Sequence, residues 1–295
     1  MPPLHDPADP AAGTVTLTAP AKLNLNLRIT GRRADGYHLL ESAVVFTAFG
    51  DRITLHQRNK PAPGGDRLTV TGPFSAAMPS VEADNICLRA VQAFRDAGGA
   101  CDPLDIHLDK QIPAGAGLGG GSSDAAAILR HLNLASAVPL SAERLATVAL
   151  GLGADVPVCL AGGAQHMTGI GESLVEIDPA PTGHVVLAKP DIALSTPDVF
   201  ARFSRSDFSQ PSEPGDGTDA LTLVALGNDL TAAAVELVPA IAALLAAIAA
   251  CDGHQAAQMS GSGSACFGLF HGLASAQAAA QSLETAGYWA VATEF

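Results

Sequence analysis

Residues 14–18 and 22–29 place apolar side chains at every second position, the period of a half-buried strand, and predict a strand pair lying on a core. The alternating runs 51–56 and 68–71 flank Pro61-Ala62-Pro63-Gly64-Gly65, which predicts a second hairpin. Helical spacing follows over 85–97, another alternating strand over 104–108, and a strong helix former over 124–132. Ser141-Ala142-Glu143-Arg144 opens a further helix capped by Ser141, although the acid stands at the second following position, not the third of a capping box. That helix stops at Gly151-Leu152-Gly153. From residue 175 short strands return, 184–188 among them, and the Ser-, Asp-, Gly- and Pro-rich tract 204–219 reads as a mobile surface loop. An alanine-rich helix within 232–251, a second glycine-rich turn at Gly261-Ser262-Gly263-Ser264, a strand over 265–270 and a helix over 274–286 complete the pattern. No internal repeat is seen, and a boundary near residue 175 divides the chain into domains 1–175 and 176–295.

Composition narrows the class. The 295 residues, 48% apolar and 15% charged, suffice for two packed domains and fit neither a disordered nor a fibrous chain. A formal net charge of -13 repels a polyphosphate backbone, so no nucleic-acid partner is expected. The most membrane-like stretch, 232–251, carries Glu236 and Pro239 and is mostly alanine, so no membrane span is expected either. Five cysteines (87, 101, 159, 251 and 266) form no metal-ligand spacing and read as reduced thiols of a cytoplasmic protein. The proline-rich start has no basic or apolar run of a signal peptide and reads as a short disordered arm. Only four lysines occur, at 22, 60, 110 and 189.

The strongest chemical signal is Pro113-Ala114-Gly115-Ala116-Gly117-Leu118-Gly119-Gly120-Gly121-Ser122-Ser123-Asp124. Gly115, Gly117 and Gly120 satisfy a dinucleotide-binding G-x-G-x-x-G as bare text, but the ribose-binding acid is missing; a Walker-type P-loop fails because Gly121 stands where lysine is required. A glycine loop opening a helix remains, where backbone N–H groups and the helix dipole can hold phosphate oxygens and Ser122 and Ser123 add hydroxyls. The plain alternative is a flexible turn with a serine cap. Asp155, in Gly153-Ala154-Asp155-Val156-Pro157, is either a cap or a partly buried carboxylate that needs a partner. Lys22, Asn24 and Asn26 share one strand face, which is either a plain solvent-exposed edge or a functional surface.

Taken together, Pro20-Ala21-Lys22-Leu23-Asn24-Leu25, Gly31-Arg32-Arg33-Ala34-Asp35-Gly36-Tyr37-His38, the loop 113–123, Gly153-Ala154-Asp155-Val156-Pro157 and Gly261-Ser262-Gly263 resemble the GHMP kinases. Asp-Gly-Tyr-His after Pro-Ala-Lys-Leu-Asn sharpens the resemblance to the 4-diphosphocytidyl-2-C-methyl-D-erythritol kinase family, from about residue 15 to the C-terminus. The 204–219 tract and the proline-rich start match that family poorly.

The resemblance implies an α+β, two-domain GHMP kinase fold with an N-terminal ATP-binding domain and a C-terminal ferredoxin-like domain. It implies transfer of the ATP γ-phosphoryl group to the 2-hydroxyl of 4-diphosphocytidyl-2-C-methyl-D-erythritol, with Mg²⁺ bridging phosphates, in the non-mevalonate isoprenoid pathway. Asp155 matches the catalytic base and Lys22 the cation that keeps it charged. Asn24 matches a residue positioning the acceptor alcohol, and Pro113, Ala114, Gly115, Ala116, Gly117, Leu118, Gly119, Gly120, Gly121, Ser122 and Ser123 match the ATP phosphate loop. Lys110 matches a basic residue near nucleotide or substrate. Tyr37 and His38 match the cytidine pocket, with Phe200 as the opposing aromatic wall and Thr196 nearby. The motifs single out no second carboxylate for the metal, and oligomeric state is not legible. A GHMP kinase for another alcohol, a non-catalytic nucleotide-binding relative and a dinucleotide oxidoreductase are the competing readings.

Overall fold

The computed structural model describes residues 13–58, 65–77, 84–204, 207–211 and 218–295. The proline-rich start, residues 61–64 of the expected hairpin loop and much of the 204–219 tract lie outside the described residues. The chain forms two compact units, one of residues 1–21, 50–114 and 119–161, the other of 22–49, 115–118 and 162–295. Strands β1 (Thr14–Asn24) and β3 (His38–Gln57) each give residues to both.

In the first unit β4 (Arg67–Thr71) lies parallel to β5 (Leu104–Asp109), with α1 (Ile86–Asp96) as the crossover that a parallel pair needs. Residues 52–57 of β3 pair antiparallel with β5 on its other side. The expected hairpin of 51–56 with 68–71 is therefore not formed: β5 stands between the two. Its Leu104, Ile106 and Leu108 are buried in alternation, so one face of β5 lies on the core.

Helix α1 is capped by Asn85, whose side chain accepts from the Cys87 N–H, and buries Cys87, Ala90, Val91 and Phe94, one helical stripe. The stripe packs on α2 (Gly120–Ala135), which also packs on α3 (Ala142–Leu152) and α4 (Val156–Ala161). Ser141 caps α3 by accepting from the Arg144 N–H at 3.3 Å. Helix α2 begins at Gly120, before the expected 124, because Gly119 adopts the left-handed conformation (φ 63°, ψ 19°) and delivers two further glycines into the first turn.

A buried ion cluster ties α2 to this unit. The Lys110 ammonium, 2% exposed, bonds Asp51 of β3 and, at 3.0 Å, Asp124 of α2. The other Asp51 oxygen accepts the Gln111 and Ile112 N–H groups at 2.6 and 2.8 Å. Burial works against the ammonium, but Asp124 and Asp51 outweigh it and lift the Lys110 pKa. One cation cannot satisfy two buried carboxylates equally. Asp124 Oδ1 is buried with no hydrogen-bond partner among the described residues, and desolvation raises its pKa to about 7 despite Lys110, with Asp51 adding to the rise.

The second unit holds β2 (Arg28–Arg32), antiparallel to the start of β3 with Arg28 opposite Glu41. Residues 40–44 of β3 pair with β6 (Gln165–Gly169), and β6 pairs with β7 (Ser173–Glu176). Strands thus return before residue 175. Then follow β8 (His184–Lys189), α5 (Thr196–Arg202), α6 (Ala220–Ala225), α7 (Thr231–Leu237), α8 (Ala240–Ala249), β9 (His254–Met259), β10 (Cys266–Phe270), α9 (Leu273–Thr285) and β11 (Trp289–Glu294). The sheet order β11-β8-β10-β9, antiparallel throughout, with helices before β9 and after β10, is the ferredoxin-like β-α-β-β-α-β arrangement. Its core gathers Val186 and Ala188 of β8, Ile241, Leu244 and Ile248 of α8, Phe270 of β10 and Ala276 and Leu283 of α9.

The single alanine-rich helix expected over 232–251 is two, α7 and α8, broken at Val238-Pro239. Proline offers no N–H and disfavours a helical residue before it, and Val238 is non-helical at φ -136°, ψ 85°. No helix among the described residues is long and apolar enough to cross a membrane.

The buried Asp124 makes stability depend on pH with a defined sign. The folded chain keeps this proton up to about pH 7, whereas an unfolded aspartate releases it near ~3.9, so the group's contribution falls as pH rises between those values. Asp124→Asn holds a permanently neutral group there. In urea unfolding at about pH 5 and about pH 8, the variant should gain stability relative to wild type at the higher pH. A wild-type minus variant difference that is independent of pH would show that Asp124 does not titrate in this window.

Candidate active site

The glycine loop is built from backbone. Gly115, Gly117 and Gly119 all have positive φ (62°, 75° and 63°), a conformation open to glycine and strained for other residues. At Gly117 space is lacking as well: a Cβ there would stand 2.6 Å from Ser260 O and 2.8 Å from Gly263 O. Ala116 and Leu118 between the glycines are buried and anchor the loop. Pro113 and Ala114 lead into it, and Gly120, Gly121, Ser122 and Ser123 form the first turn of α2, where a helix has N–H groups with no intrahelical acceptor. A Cβ on Gly120 would come within 2.9 Å of the Lys110 Nζ. Ser123 is buried, while Ser122 keeps part of its surface.

Gly261-Ser262-Gly263 meets this loop directly. The Ser260 hydroxyl donates to Gly117 O at 3.2 Å and the Ala265 N–H to Ala116 O at 3.0 Å. Gly261, at φ 56°, lies so close that a Cβ would be 3.0 Å from Gly117 O and 3.4 Å from Asn24 Oδ1. Gly117, Gly261 and Asn24 thus form one junction.

Lys22, Asn24 and Asn26 are buried, so the exposed-edge reading of their strand face is overturned. The Lys22 N–H donates to Leu118 O at 2.8 Å. Asn24 donates from Nδ2 to Ser42 Oγ at 2.7 Å, and the Ser42 hydroxyl donates to Asn26 O. Asn26 leaves the strand and uses its Oδ1 to accept the Ala43 N–H, a structural bond. Asn24 Oδ1 is buried with no hydrogen-bond partner among the described residues, although Asn24 itself is 1% exposed. An unpaired acceptor at a glycine junction suits a ligand hydroxyl.

Asp155 is half-buried and immediately precedes α4, its carbonyl accepting the Cys159 N–H at 3.2 Å. Lys22 and Asp155 belong to different units.

His38, Phe200 and Phe203 come together. The His38 ring stacks on Phe200 at 5.5 Å between centroids, 28° from parallel, and meets Phe203 edge-on at 5.5 Å. Burial, then the Arg32 charge, lowers the His38 pKa, which leaves a neutral ring with one donor and one acceptor at pH 7. Tyr37 lies in the β2–β3 turn, 64% exposed, with its N–H held by Asp35 at 3.2 Å. The ring against Phe200 is that of His38, not Tyr37. Thr196, which opens α5, shares a hydrogen bond with Ser262 at 2.7 Å and so touches the second glycine turn.

Sequence patterns assign no role to Asp51, Asp124, Ser42, Ser260, Phe203 or Asn228. Only Asp124, a lone acid opening an apolar helix run, carried a local signal. Among the described residues no cluster of three His, Cys, Asp or Glu side chains can hold a metal ion.

Residues 85–163 match the GHMP kinases N terminal domain and residues 215–288 the GHMP kinases C terminal domain. A protein of Paracoccus denitrificans named 4-diphosphocytidyl-2-C-methyl-D-erythritol kinase is 44% identical over 283 residues, covering 93% of this chain and 94% of its own. Its namesake in Brucella abortus is 43% identical over 292 residues, covering 95% of each. A crystal structure of 4-(cytidine 5'-diphospho)-2C-methyl-D-erythritol kinase superposes with a TM-score of 0.77 at 33% identity, covering 95% of this chain and 98% of the other. Homoserine kinase from Cytophaga hutchinsonii shares the fold, with a TM-score of 0.67 at 16% identity over 97% of this chain and 96% of its own. With both halves of the fold matched and near-full-length identity above two-fifths, the chain belongs to the 4-diphosphocytidyl-2-C-methyl-D-erythritol kinase family of the GHMP kinases.

Proposed function

We propose that this ATP-using small-molecule kinase transfers the γ-phosphoryl group of ATP to the 2-hydroxyl of 4-diphosphocytidyl-2-C-methyl-D-erythritol, giving the 2-phosphate, a step of the non-mevalonate isoprenoid precursor pathway. The observation that carries the reading is the junction of Gly117, Gly261 and the unpaired Asn24 Oδ1, which offers backbone for phosphates beside an acceptor for an alcohol. Family likeness over nearly the whole chain supplies the substrate. Coupled ADP release with this alcohol, compared with homoserine and mevalonate, tests it; turnover of either alternative in preference would overturn the assignment.

In this reading residues 113–123 hold the ATP phosphates through N–H groups and the α2 dipole. Asp155 accepts the proton of the 2-hydroxyl, Lys22 stabilises the charged carboxylate, and Asn24 orients the alcohol. Lys110 serves the nucleotide from beneath Gly120, its ammonium being held by Asp51 and Asp124. Mg²⁺ fits as an ion carried mainly by the nucleotide phosphates, with the partly exposed Ser122 hydroxyl offered to it, and when bound it neutralises phosphate charge. Tyr37 and Phe200 present aromatic surface to the cytosine, His38 polar atoms to its edge, and Thr196 a hydroxyl beside them. The same reading divides the chain near residue 175, between the two matched domains. It has no nucleic-acid or membrane partner and acts in the cytoplasm, where the free cysteines remain reduced.

Asp155→Asn keeps the shape and loses the proton acceptor. A positioned base contributes ~10²–10⁴-fold, and a loose phosphoryl-transfer transition state needs little deprotonation, so kcat should fall toward the low end of that range with the fold intact. Wild-type kcat in the purified variant would remove Asp155 from the mechanism.

Stacking a base on an aromatic side chain is worth ~1–3 kcal/mol, roughly 5- to 150-fold in affinity. Tyr37→Ala should raise KM for the cytidylylated alcohol within that range and leave KM for ATP unchanged. His38→Ala should narrow the preference over the uridine analogue, because only a polar group can read the exocyclic amine. Should Tyr37→Ala weaken ATP instead, the cytidine pocket lies elsewhere.

A further inference from the structure

Gly227-Asn228-Asp229-Leu230 precedes α7 and belongs to none of the motifs above. Its backbone forms a parallel bridge to Leu27: the Leu27 N–H donates to Gly227 O at 3.0 Å and the Asp229 N–H to Leu27 O at 2.8 Å. The Asn228 carboxamide is fully employed. Nδ2 donates to Met259 O and to Gly261 O, both at 2.8 Å, and Oδ1 accepts the Leu230 N–H at 2.9 Å. Two N–H donors on one nitrogen, spaced to bridge two carbonyls of one turn, are what a primary amide provides and a carboxylate or hydroxyl does not.

The two carbonyls flank Ser260, the residue on which the glycine loop rests. Ser260 O lies against Gly117, its hydroxyl donates to Gly117 O, and its N–H donates to Ala265 O, whose own N–H bonds Ala116 O. Because Gly117 approaches this turn with no room for a Cβ, a small displacement of Ser260 or Gly261 moves the loop backbone with it. We infer that Asn228 is a positioning residue for ATP: by clamping Met259 O and Gly261 O it holds the second glycine turn where the loop residues 115–118 must rest to meet the phosphates. The inference rests on the assignment of 113–123 as the phosphate loop.

Its neighbour supplies the control. The Asp229 carboxylate accepts the Ile29 N–H at 2.8 Å and the Ser209 hydroxyl at 2.8 Å, bonds of similar kind that stay away from the glycine turn. Losing them lowers stability without displacing the loop.

The test is equilibrium binding of the β,γ-imido analogue of ATP with Mg²⁺ to the full chain, well below each variant's melting temperature. Asn228→Ala and Asn228→Asp, the latter the same shape without donors, should weaken binding roughly tenfold, whereas Asp229→Ala should bind as wild type. Asn228→Ser, which keeps one donor, should fall between and serves as the measurement if Asn228→Ala does not fold. Gly119→Val tests the loop assignment by itself. If it weakens the analogue while folded Asn228 variants bind as wild type, the positioning role is refuted and the loop assignment stands; if it binds as wild type, the loop assignment fails and the inference with it. Equal weakening by Asp229→Ala and Asn228→Ala also overturns the proposal, since the effect would then follow lost stability alone.

Discussion

At Gly117 two stretches of main chain press together: Ser260 O and Gly263 O occupy the space that any side chain would need. Contact of this kind fixes geometry more tightly than side-chain packing, because a carbonyl cannot rotate away as a rotamer can. Much of the surrounding arrangement in the second unit is set by it. Ser260 bonds Gly117 O and receives the Asn24 N–H, a Cβ on Gly261 would meet Asn24 Oδ1 at 3.4 Å, and Ser262 reaches Thr196. Glycine at 117 and 261 is therefore a requirement of close approach and of positive φ together.

The first unit solves a different problem. A helix that starts with Gly120-Gly121 has weak intrinsic propensity at its entry, and the left-handed Gly119 only sets the direction of the chain. Asp124 adds a bond from the second turn to Lys110, and Lys110 is held in turn by Asp51 of β3. The arrangement replaces propensity by a buried charge cluster whose members are costly to separate, because removal of one partner leaves the others uncompensated. Glycines can then stand at the helix entrance, leaving its N–H groups uncovered. Carboxylates answer Lys110, Arg28 and Arg33, so these three cations add less positive field than their number suggests.

What could be read from the chain follows the range of the interactions. The glycine loop, the Ser141 cap and the α1 stripe are local, and the sequence states them. Partner choice between strands is not local: alternation over 51–56 and 68–71 is real, but nothing in it says that β5 will come between. The first half of β3 carries no alternation, because residues 43–45 are buried in succession, and β11 follows the last helix with weak patterning. Lys110 stands out as one of four lysines in the chain, whereas Asp51 lies 59 residues away in sequence and gives no sign of its partner. The ring stacked on Phe200 is that of His38, the first residue of β3, and residue order alone does not say which of the neighbours Tyr37 and His38 turns toward α5.

In the proposed function, phosphate handling and acceptor choice are built from different materials. The loop 113–123 and the turn 260–263 meet through backbone, which changes little when side chains elsewhere are exchanged. The proposed base-reading groups are side chains: Tyr37 in a hairpin turn, His38 at the start of β3, and Phe200 with Thr196 on the short helix α5. Substitution of Tyr37, His38 or Phe200 changes shape and polarity away from Gly117 and Gly261, whereas Thr196 is tied to the second glycine turn through Ser262. A fold divided in this way can keep one way of holding ATP while its acceptor changes, because the constraint of close backbone approach does not extend to the aromatic cluster. The His38–Phe200–Phe203 cluster is joined by ring contacts, one stacked and one edge-on, which other side-chain sets can replace.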